Sequence, residues 1–166
     1  MSIAISLISV AIAVLSFALA IFSWRHANRP LVTARITAFS GGNNAITLNI
    51  LIENTGNRPA KDIQLIAERS DVLAALKDSD QIPIDAERCF FSNVSIPILI
   101  HGKSTSNAFG HLGNPEGSWK PGAVIHIKVV YRDLGLRRYS SRLRLLLSDD
   151  TSFAQTTWGN GTGHGG

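Results

Sequence analysis

The feature that most constrains this chain is the apolar run from Ile3 to Trp24 near its N-terminus. These 22 residues contain no charged side chain. At a rise of 1.5 Å per residue, a helix of this length crosses a hydrocarbon core of about 30 Å. We therefore expect residues 1–28 to form a transmembrane anchor helix.

The residues that flank the run favour a retained anchor. A cleaved signal peptide has a basic segment before a shorter apolar stretch, and nothing basic precedes this run. An interfacial anchor follows it, because Trp24 suits the headgroup level and Arg25 and Arg29 come directly after. The positive-inside rule then predicts an outside N-terminus and a cytoplasmic domain. A periplasmic or extracellular domain is the alternative.

Small residues recur along this helix at alternating steps of four and three. Such a heptad seam favours left-handed packing, because close backbone approach is what associates helices in lipid. The seam predicts self-association or docking on a partner helix. The competing interpretation is that serine and alanine are common in spanning helices. The seam consists of Ser2, Ser6, Ser9, Ala13, Ser16, Ala20, Ser23 and Ala27.

After Arg29 the pattern changes to short strands separated by turns. Residues 31–39 and 45–53 predict a hairpin across the GGNN turn, and residues 61–68 predict a third strand. Residues 71–77 have the composition of a short connecting helix. The stretch IPIDAERCFFSNVS has no clean period and predicts a loop with one irregular strand.

The second half of the chain predicts further strands. IPILIHGKSTSNAF reads as a strand that ends at Gly102 and a polar strand after it, and GHLGNPEGSWKPG reads as a loop. Residues 123–133 and 137–147 alternate most clearly, with the DLGL turn between them. The predicted class is mainly β: a transmembrane helix, then an antiparallel Ig-like β-sandwich with one short helix at 29–148. Residues 149–166 are expected to be a flexible glycine-rich tail.

Three segments carry a family resemblance: ILIENTGNRPAKDIQL, ILIHGKSTSNAF and VVYRD. Their turns, strand-ending glycine and late strand resemble bacterial Ig-like surface modules of the CARDB type. The chain is also similar to bacterial proteins with one N-terminal span. The resemblance implies a sandwich used for binding or assembly. It also implies an extracellular domain, in opposition to the charge rule.

The last two strands predict a basic face. If they pair as a hairpin, the residues opposite in parity to the apolar set point outward together. This face could contact anionic lipid headgroups or an acidic protein. The competing interpretation is a solvated outer sheet face whose charges discourage edge aggregation. The face consists of His126, Lys128, Arg132, Arg138, Arg142 and Arg144.

The sequence offers little catalytic chemistry. The five histidines and the lone Cys89 show no metal-ligand spacing, and no phosphate-binding loop or nucleophile elbow occurs. We therefore expect no enzyme activity, no cofactor and no metal. The pI near 9.6 admits nucleic acid as a partner. That partner is disfavoured, because Tyr131 and Tyr139 point inward by parity and cannot stack on bases.

These observations predict a single-pass membrane-anchored β-sandwich that acts as a non-catalytic binding or assembly module. Its contacts would be the lipid bilayer, a helix partner or second copy, and anionic headgroups or an acidic protein. The alternative is an accessory subunit of a membrane enzyme or envelope complex with no active site of its own. Co-purification with a companion chain in mild detergent would distinguish this alternative.

The seam generates a direct test. Replacing Ser9 and Ser16 by leucine should weaken helix association, because bulky side chains hold the two backbones apart. Crosslinking in membranes measures the association, and an unchanged crosslinking yield would contradict the seam.

Overall fold

A computed structural model of the chain describes residues 2–40, 45–77, 81–113 and 118–148. The predicted GGNN turn and the predicted tail at 149–166 lie outside these ranges. The fold is mainly β, with a long apolar helix at its N-terminus. The helices are α1 (Ser2–Ala27), α2 (Arg69–Ala74) and α3 (Ile84–Phe90). The strands are β1 (Val32–Ser40), β2 (Ala45–Asn54), β3 (Ala60–Ala67), β4 (Ile96–Leu99), β5 (Ser104–Gly113), β6 (Val124–Arg132) and β7 (Arg138–Leu146).

The strands form two antiparallel sheets. The first has the order β1-β2-β5 and the second has the order β4-β3-β6-β7. Inward side chains of both sheets form one hydrophobic cluster, which includes Leu48 and Ile50 from the first and Ile63 and Ile125 from the second. The apolar alternation of the strands is therefore explained by burial of one face of each sheet.

The β6–β7 hairpin agrees with the alternation in the sequence. Ile125, Ile127 and Val129 are buried, as the period of two requires. Tyr131 and Tyr139 are direct partners across the hairpin, and their rings stack with centroids 5.7 Å apart. The parity argument is thus correct for the inward side of both strands.

The prediction of a loop with an irregular strand at residues 82–95 is wrong, because residues 84–90 form α3. Pro83 precedes the first turn, and Asp85 and Glu87 lie where the helix dipole favours negative charge. Ala86 and Phe90 are four residues apart and both are buried. One buried pair is too short a pattern to reveal a helix in a sequence. α3 packs against β5 and β3.

The segment read as a glycine-proline loop also contains structure. β5 continues through residue 113, and Trp119 forms an isolated bridge with Leu76. The indole of Trp119 is fully buried, with its ring centroid 5.2 Å from that of Phe109. Phe109 in turn contacts Phe90 of α3 edge-on, at 6.0 Å. This aromatic row fills one end of the core.

Gly110 makes room for the indole. Leu48 pairs with Gly110 while Asn49 pairs with Ala108, so Phe109 is the extra residue of a β-bulge. A Cβ atom on Gly110 would lie 2.0 Å from Nε1 of Trp119. No larger residue fits there unless the indole moves.

We expect Gly110→Ala to destabilise the β domain by about 2–3 kcal/mol, since an added methyl group overpacks a closed site. Chemical denaturation in detergent micelles, followed by circular dichroism, measures the change. Gly135→Ala is the matched control, because a Cβ there would approach only the carboxylate of Asp133, at 3.3 Å, and would meet neither an aromatic ring nor the backbone of another segment. Equal stabilities for the two variants would contradict this account.

Candidate functional site

The connection between the apolar helix and the β domain is short and held at several points. Only residues 28–31 separate α1 from β1. The backbone N–H and side-chain amide of Asn28 both donate to the carbonyl of Trp24, which closes the end of the helix. Pro30 is buried, and its carbonyl accepts a hydrogen bond from the Tyr131 hydroxyl at 3.4 Å. The connection therefore has little freedom to bend.

The side chain of Asn54 is the centre of this junction. It lies at the end of β2 and is fully buried. Its Oδ1 accepts the backbone N–H of Leu31 at 3.2 Å and of Gly56 at 3.1 Å. Its Nδ2 donates to the carbonyls of Arg58 at 2.7 Å and Leu99 at 2.9 Å. One amide thus links the helix connection, both sheets and the β2–β3 turn.

The β2–β3 turn packs directly on the chain that leaves the helix. A Cβ atom on Gly56 would lie 2.2 Å from the backbone nitrogen of Leu31 and 2.4 Å from the carbonyl oxygen of Arg29. Only glycine permits this approach. Thr55 donates its backbone N–H to the carbonyl of Leu31 at 2.9 Å. The NTGNRPA stretch, which the sequence identified only as a turn, therefore packs against the residues that directly follow α1.

Two further contacts reach α1 itself. The Asn57 side chain donates to the carbonyl of Ala27 at 3.4 Å. The guanidinium of Arg58 stacks over the indole of Trp24, 4.9 Å from the ring centroid. A cation over an aromatic face adds about 0.5–1 kcal/mol at an exposed site. The β2–β3 turn thus contacts the last turn of the helix through one amide and one guanidinium.

An open groove of about 550 Å³ runs between α1 and the β6–β7 hairpin. Phe22, Arg25 and Arg29 line it from the helix side, and Arg137 and Tyr139 line it from the hairpin. Burial and the nearby Asp133 carboxylate raise the pKa of the Tyr139 hydroxyl, so this phenol stays neutral at physiological pH. The hydroxyl donates to Oδ2 of Asp133 at 3.2 Å.

Arg25 and Arg29 of the predicted interfacial anchor line this groove, and Trp24 lines a neighbouring one together with Arg25. Arg58 and Arg137 come from separate loops and meet the helix end. Within the described ranges, none of the four arginines of the set forms an ion pair. We call this set the juxtamembrane site; it consists of Trp24, Arg25, Arg29, Arg58 and Arg137.

The six residues of the predicted basic face occupy one outward sheet surface. They form three directly opposed pairs across the hairpin: His126 with Arg144, Lys128 with Arg142, and Arg132 with Arg138. Two acidic side chains reduce the charge. Asp71 Oδ2 lies 2.9 Å from Nδ1 of His126.

The second acidic contact is at the other end of the face. The carboxylate of Asp62 lies 3.8 Å from the guanidinium of Arg132. Lys128, Arg142 and Arg144 border an open depression of about 620 Å³, which Glu68 and Asp71 also line. Within the described ranges Lys128, Arg142 and Arg144 form no ion pair, so positive charge remains beside this depression.

The residues of the predicted seam all lie on α1. The side chains from Ser6 onward are exposed, so the surface is open to a partner helix. The side chain of Ser2 lies outside the described part of the structure. The hydroxyl of Ser9 donates to the carbonyl of Ile5 at 2.9 Å within its own helix. Such back-bonding satisfies a serine without a second helix.

The structure brings together no catalytic constellation among its described residues. In those ranges no three His, Cys, Asp or Glu side chains could hold a metal ion. Cys89 is half-buried, and burial raises the pKa of its thiol, so the thiolate fraction at neutral pH is small. The Asn107 amide donates to its sulfur at 3.3 Å. Cys89 has the environment of a structural thiol.

Sequence reasoning missed two of the five residues of the juxtamembrane site. Arg58 sits in a turn and Arg137 in a hairpin loop, and neither lies near Trp24 along the chain. The available signal was indirect. Turn residues that end β2 and begin β7 fall at the same end of an antiparallel domain as the helix exit, which precedes β1.

Residues 3–150 match the family described as Domain of unknown function (DUF8453). The match begins inside α1 and ends just after β7, so it spans the apolar helix and both sheets as one unit. No curated protein matches this chain.

The junction generates a stability prediction. We expect Asn54→Ala to destabilise the domain by about 3–4 kcal/mol, because two buried N–H groups and two carbonyls lose their partner at once. Denaturation of the full chain in micelles measures this loss.

Asn49→Ala is the matched control on the same strand. Asn49 is half-buried, and no described residue bonds its Oδ1. This change should therefore alter the free energy of unfolding by less than about 1 kcal/mol. Similar losses at both positions would mean that the Asn54 contacts do not carry the junction.

Proposed function

We propose that this chain, which belongs to the family described as a domain of unknown function (DUF8453), is a single-pass membrane protein whose β domain is a non-catalytic binding or assembly module. The observation that carries the proposal is the fixed junction around Asn54. Because this junction is fixed, the β domain would be held in one orientation and at one distance from the bilayer.

The properties of α1 support a membrane span. The most apolar 18-residue window within Ile5–Ala27 has a mean hydropathy of 2.7, and none of the residues in that window is buried. Soluble proteins rarely expose a continuous apolar surface of this size to water. A cleaved signal sequence passes the same length test. The contacts of Trp24 and Ala27 with the β2–β3 turn, and a family match that begins at residue 3, favour a retained anchor.

The charge at the helix exit supports a cytoplasmic domain. Arg25 and Arg29 follow the span directly, and the fold adds Arg58 and Arg137 beside them. Positive charge next to a span is retained on the cytoplasmic side. The N-terminal side of α1 has no basic side chain among residues 1–24.

The strand order supports an Ig-like sandwich. The first sheet, β1-β2-β5, corresponds to strands A-B-E of such folds, and the second, β4-β3-β6-β7, corresponds to C′-C-F-G. This order agrees with the resemblance to CARDB-type modules. Sandwiches of this kind serve mainly as binding domains, which favours recognition over catalysis.

Two surfaces are available for a protein partner in this proposal. The small-residue face of α1 suits a second helix in the membrane. The centre of the basic sheet face, at Lys128, Arg142 and Arg144, suits an acidic protein. A module with one contact surface in lipid and one in water would hold two components of an assembly together.

Orientation is the first test. In a Cys89→Ser background, Val94→Cys places a thiol on an exposed position of the β domain. We expect a membrane-impermeant maleimide to label this thiol only after the membrane of intact cells is opened.

Ser2→Cys is the matched control at the other end of α1. This thiol should react in intact cells, since the N-terminus is outside in the proposed topology. The reverse pattern of labelling would place the domain outside. Release of the chain by alkaline carbonate would contradict the anchor itself.

A further inference from the structure

We propose that the juxtamembrane site and the β6–β7 loop form a binding site for the phosphate groups of anionic lipids, with Leu134 and Leu136 inserted into the membrane interface. This inference rests on the proposed function, because it needs α1 to span the bilayer. It goes beyond that function by assigning the β domain a lipid contact of its own.

The β6–β7 loop lies beside the end of the span. Asp133 and Gly135 border an open groove that is also lined by Trp24, Arg25 and Asn28. Trp24 marks the headgroup level of a spanning helix. Leu134 and Leu136 flank Gly135, so they lie at about the same depth. Their side chains are 59% and 66% exposed, which leaves apolar surface where the bilayer begins.

The loop is rigid, so its leucines are displayed in a fixed manner. Asp133 donates its backbone N–H to the carbonyl of Arg137 at 3.0 Å, and its Oδ1 accepts the N–H of Arg137 at 2.9 Å. The Leu136 N–H donates to the carbonyl of Asp133 at 3.1 Å. An apolar loop held in this way does not collapse onto the core.

The backbone of Leu136 gives an independent reason to assign a function to its side chain. Its φ is +63°, in the left-handed region that glycine and asparagine adopt most readily. A leucine at this position has a strained backbone, which lowers stability, and an exposed apolar side chain, which lowers solubility. Neither property explains why leucine occurs here. Strain of this kind is typical of functional positions. Insertion of the side chain into lipid would explain it.

The arginines complete the site. Arg58 and Arg137 stand over the rings of Trp24 and Tyr139, at 4.9 and 5.8 Å from the centroids. Stacking fixes each guanidinium at the level of the belt aromatics and leaves its N–H groups for an acceptor. Lipid phosphates are the anions that occur at this depth. The arginines, the apolar loop and the end of the spanning helix form one continuous surface. This continuity favours lipid over a protein partner.

The test uses the full chain reconstituted into nanodiscs of phosphatidylcholine, with or without phosphatidylglycerol. A nitroxide on Leu134→Cys, in the Cys89→Ser background, reports depth through its relative accessibility to oxygen and to a water-soluble nickel complex. We expect interfacial depth at this position. A nitroxide on Val94→Cys is the control, and it should be fully aqueous.

Lipid selectivity tests the arginines. The preference of the protein for spin-labelled phosphatidylglycerol over phosphatidylcholine should fall in Arg58→Gln/Arg137→Gln, by roughly 5-fold for each arginine removed. Arg142→Gln/Arg144→Gln removes the same charge from the distant sheet face and should leave the preference unchanged.

Leu136→Asn separates the role of the side chain from folding. Asparagine tolerates a positive φ, so the variant should melt at or above the temperature of the parent chain. The label at position 134 should nevertheless become more accessible to the nickel complex. Unchanged accessibility would show that Leu136 does not hold the loop in lipid.

The outcomes distinguish this inference from the function on which it rests. Extraction of the chain by alkaline carbonate would overturn the anchor and with it the site. A chain that stays in the membrane, with an aqueous label at position 134 and an unchanged lipid preference in Arg58→Gln/Arg137→Gln, would overturn the site alone. A label buried to the same degree in both lipids, and crosslinked to a second chain, would also overturn it.

Discussion

The arrangement of helix and sheets depends on one buried amide, that of Asn54. An amide without partners in a protein interior costs several kcal/mol. Here both acceptor positions of the oxygen and both donor positions of the nitrogen are used. The partners come from the helix exit, the β2–β3 turn and β4, so the side chain is satisfied in only one arrangement of these three segments. Specificity, more than net stability, is what such a group contributes.

This arrangement couples α1 to the β domain. With a flexible linker, α1 and the β domain would rotate independently. Pairing of two helices would then not fix the relative orientation of their β domains. The four residues between α1 and β1 are instead held by Asn54, Thr55 and Tyr131. A helix dimer along the predicted seam would therefore fix the relative orientation of two β domains. The same coupling keeps the β6–β7 loop beside the end of the span.

The local alternation of apolar residues was sufficient to predict strands and their inward faces. Contacts between segments that lie far apart in the chain could not be predicted from it. Ile125, Ile127 and Val129 alternate over a full strand, so the inward and outward faces of the hairpin followed directly. The hydrogen bonds of Asn54 to Leu31 and Leu99 join residues that are 23 and 45 positions apart in the sequence, and no local sequence pattern predicts them. α3 was missed because its buried face is a single pair of residues. The role of Trp119 was missed because it lies in a segment rich in glycine and proline, which has no apolar period.

The juxtamembrane site and the basic sheet face lie at different distances from the end of α1. Arg132 and Arg138 lie at the end of the hairpin nearest the helix exit, six positions along their strands from His126 and Arg144. At about 3.4 Å per residue this is roughly 20 Å. The Debye length at physiological ionic strength is about 8 Å, so charges at the far end gain little from headgroups at the junction. In the proposed topology, the arginines beside Trp24 would therefore serve a lipid contact, and Lys128, Arg142 and Arg144 would remain for a partner in water.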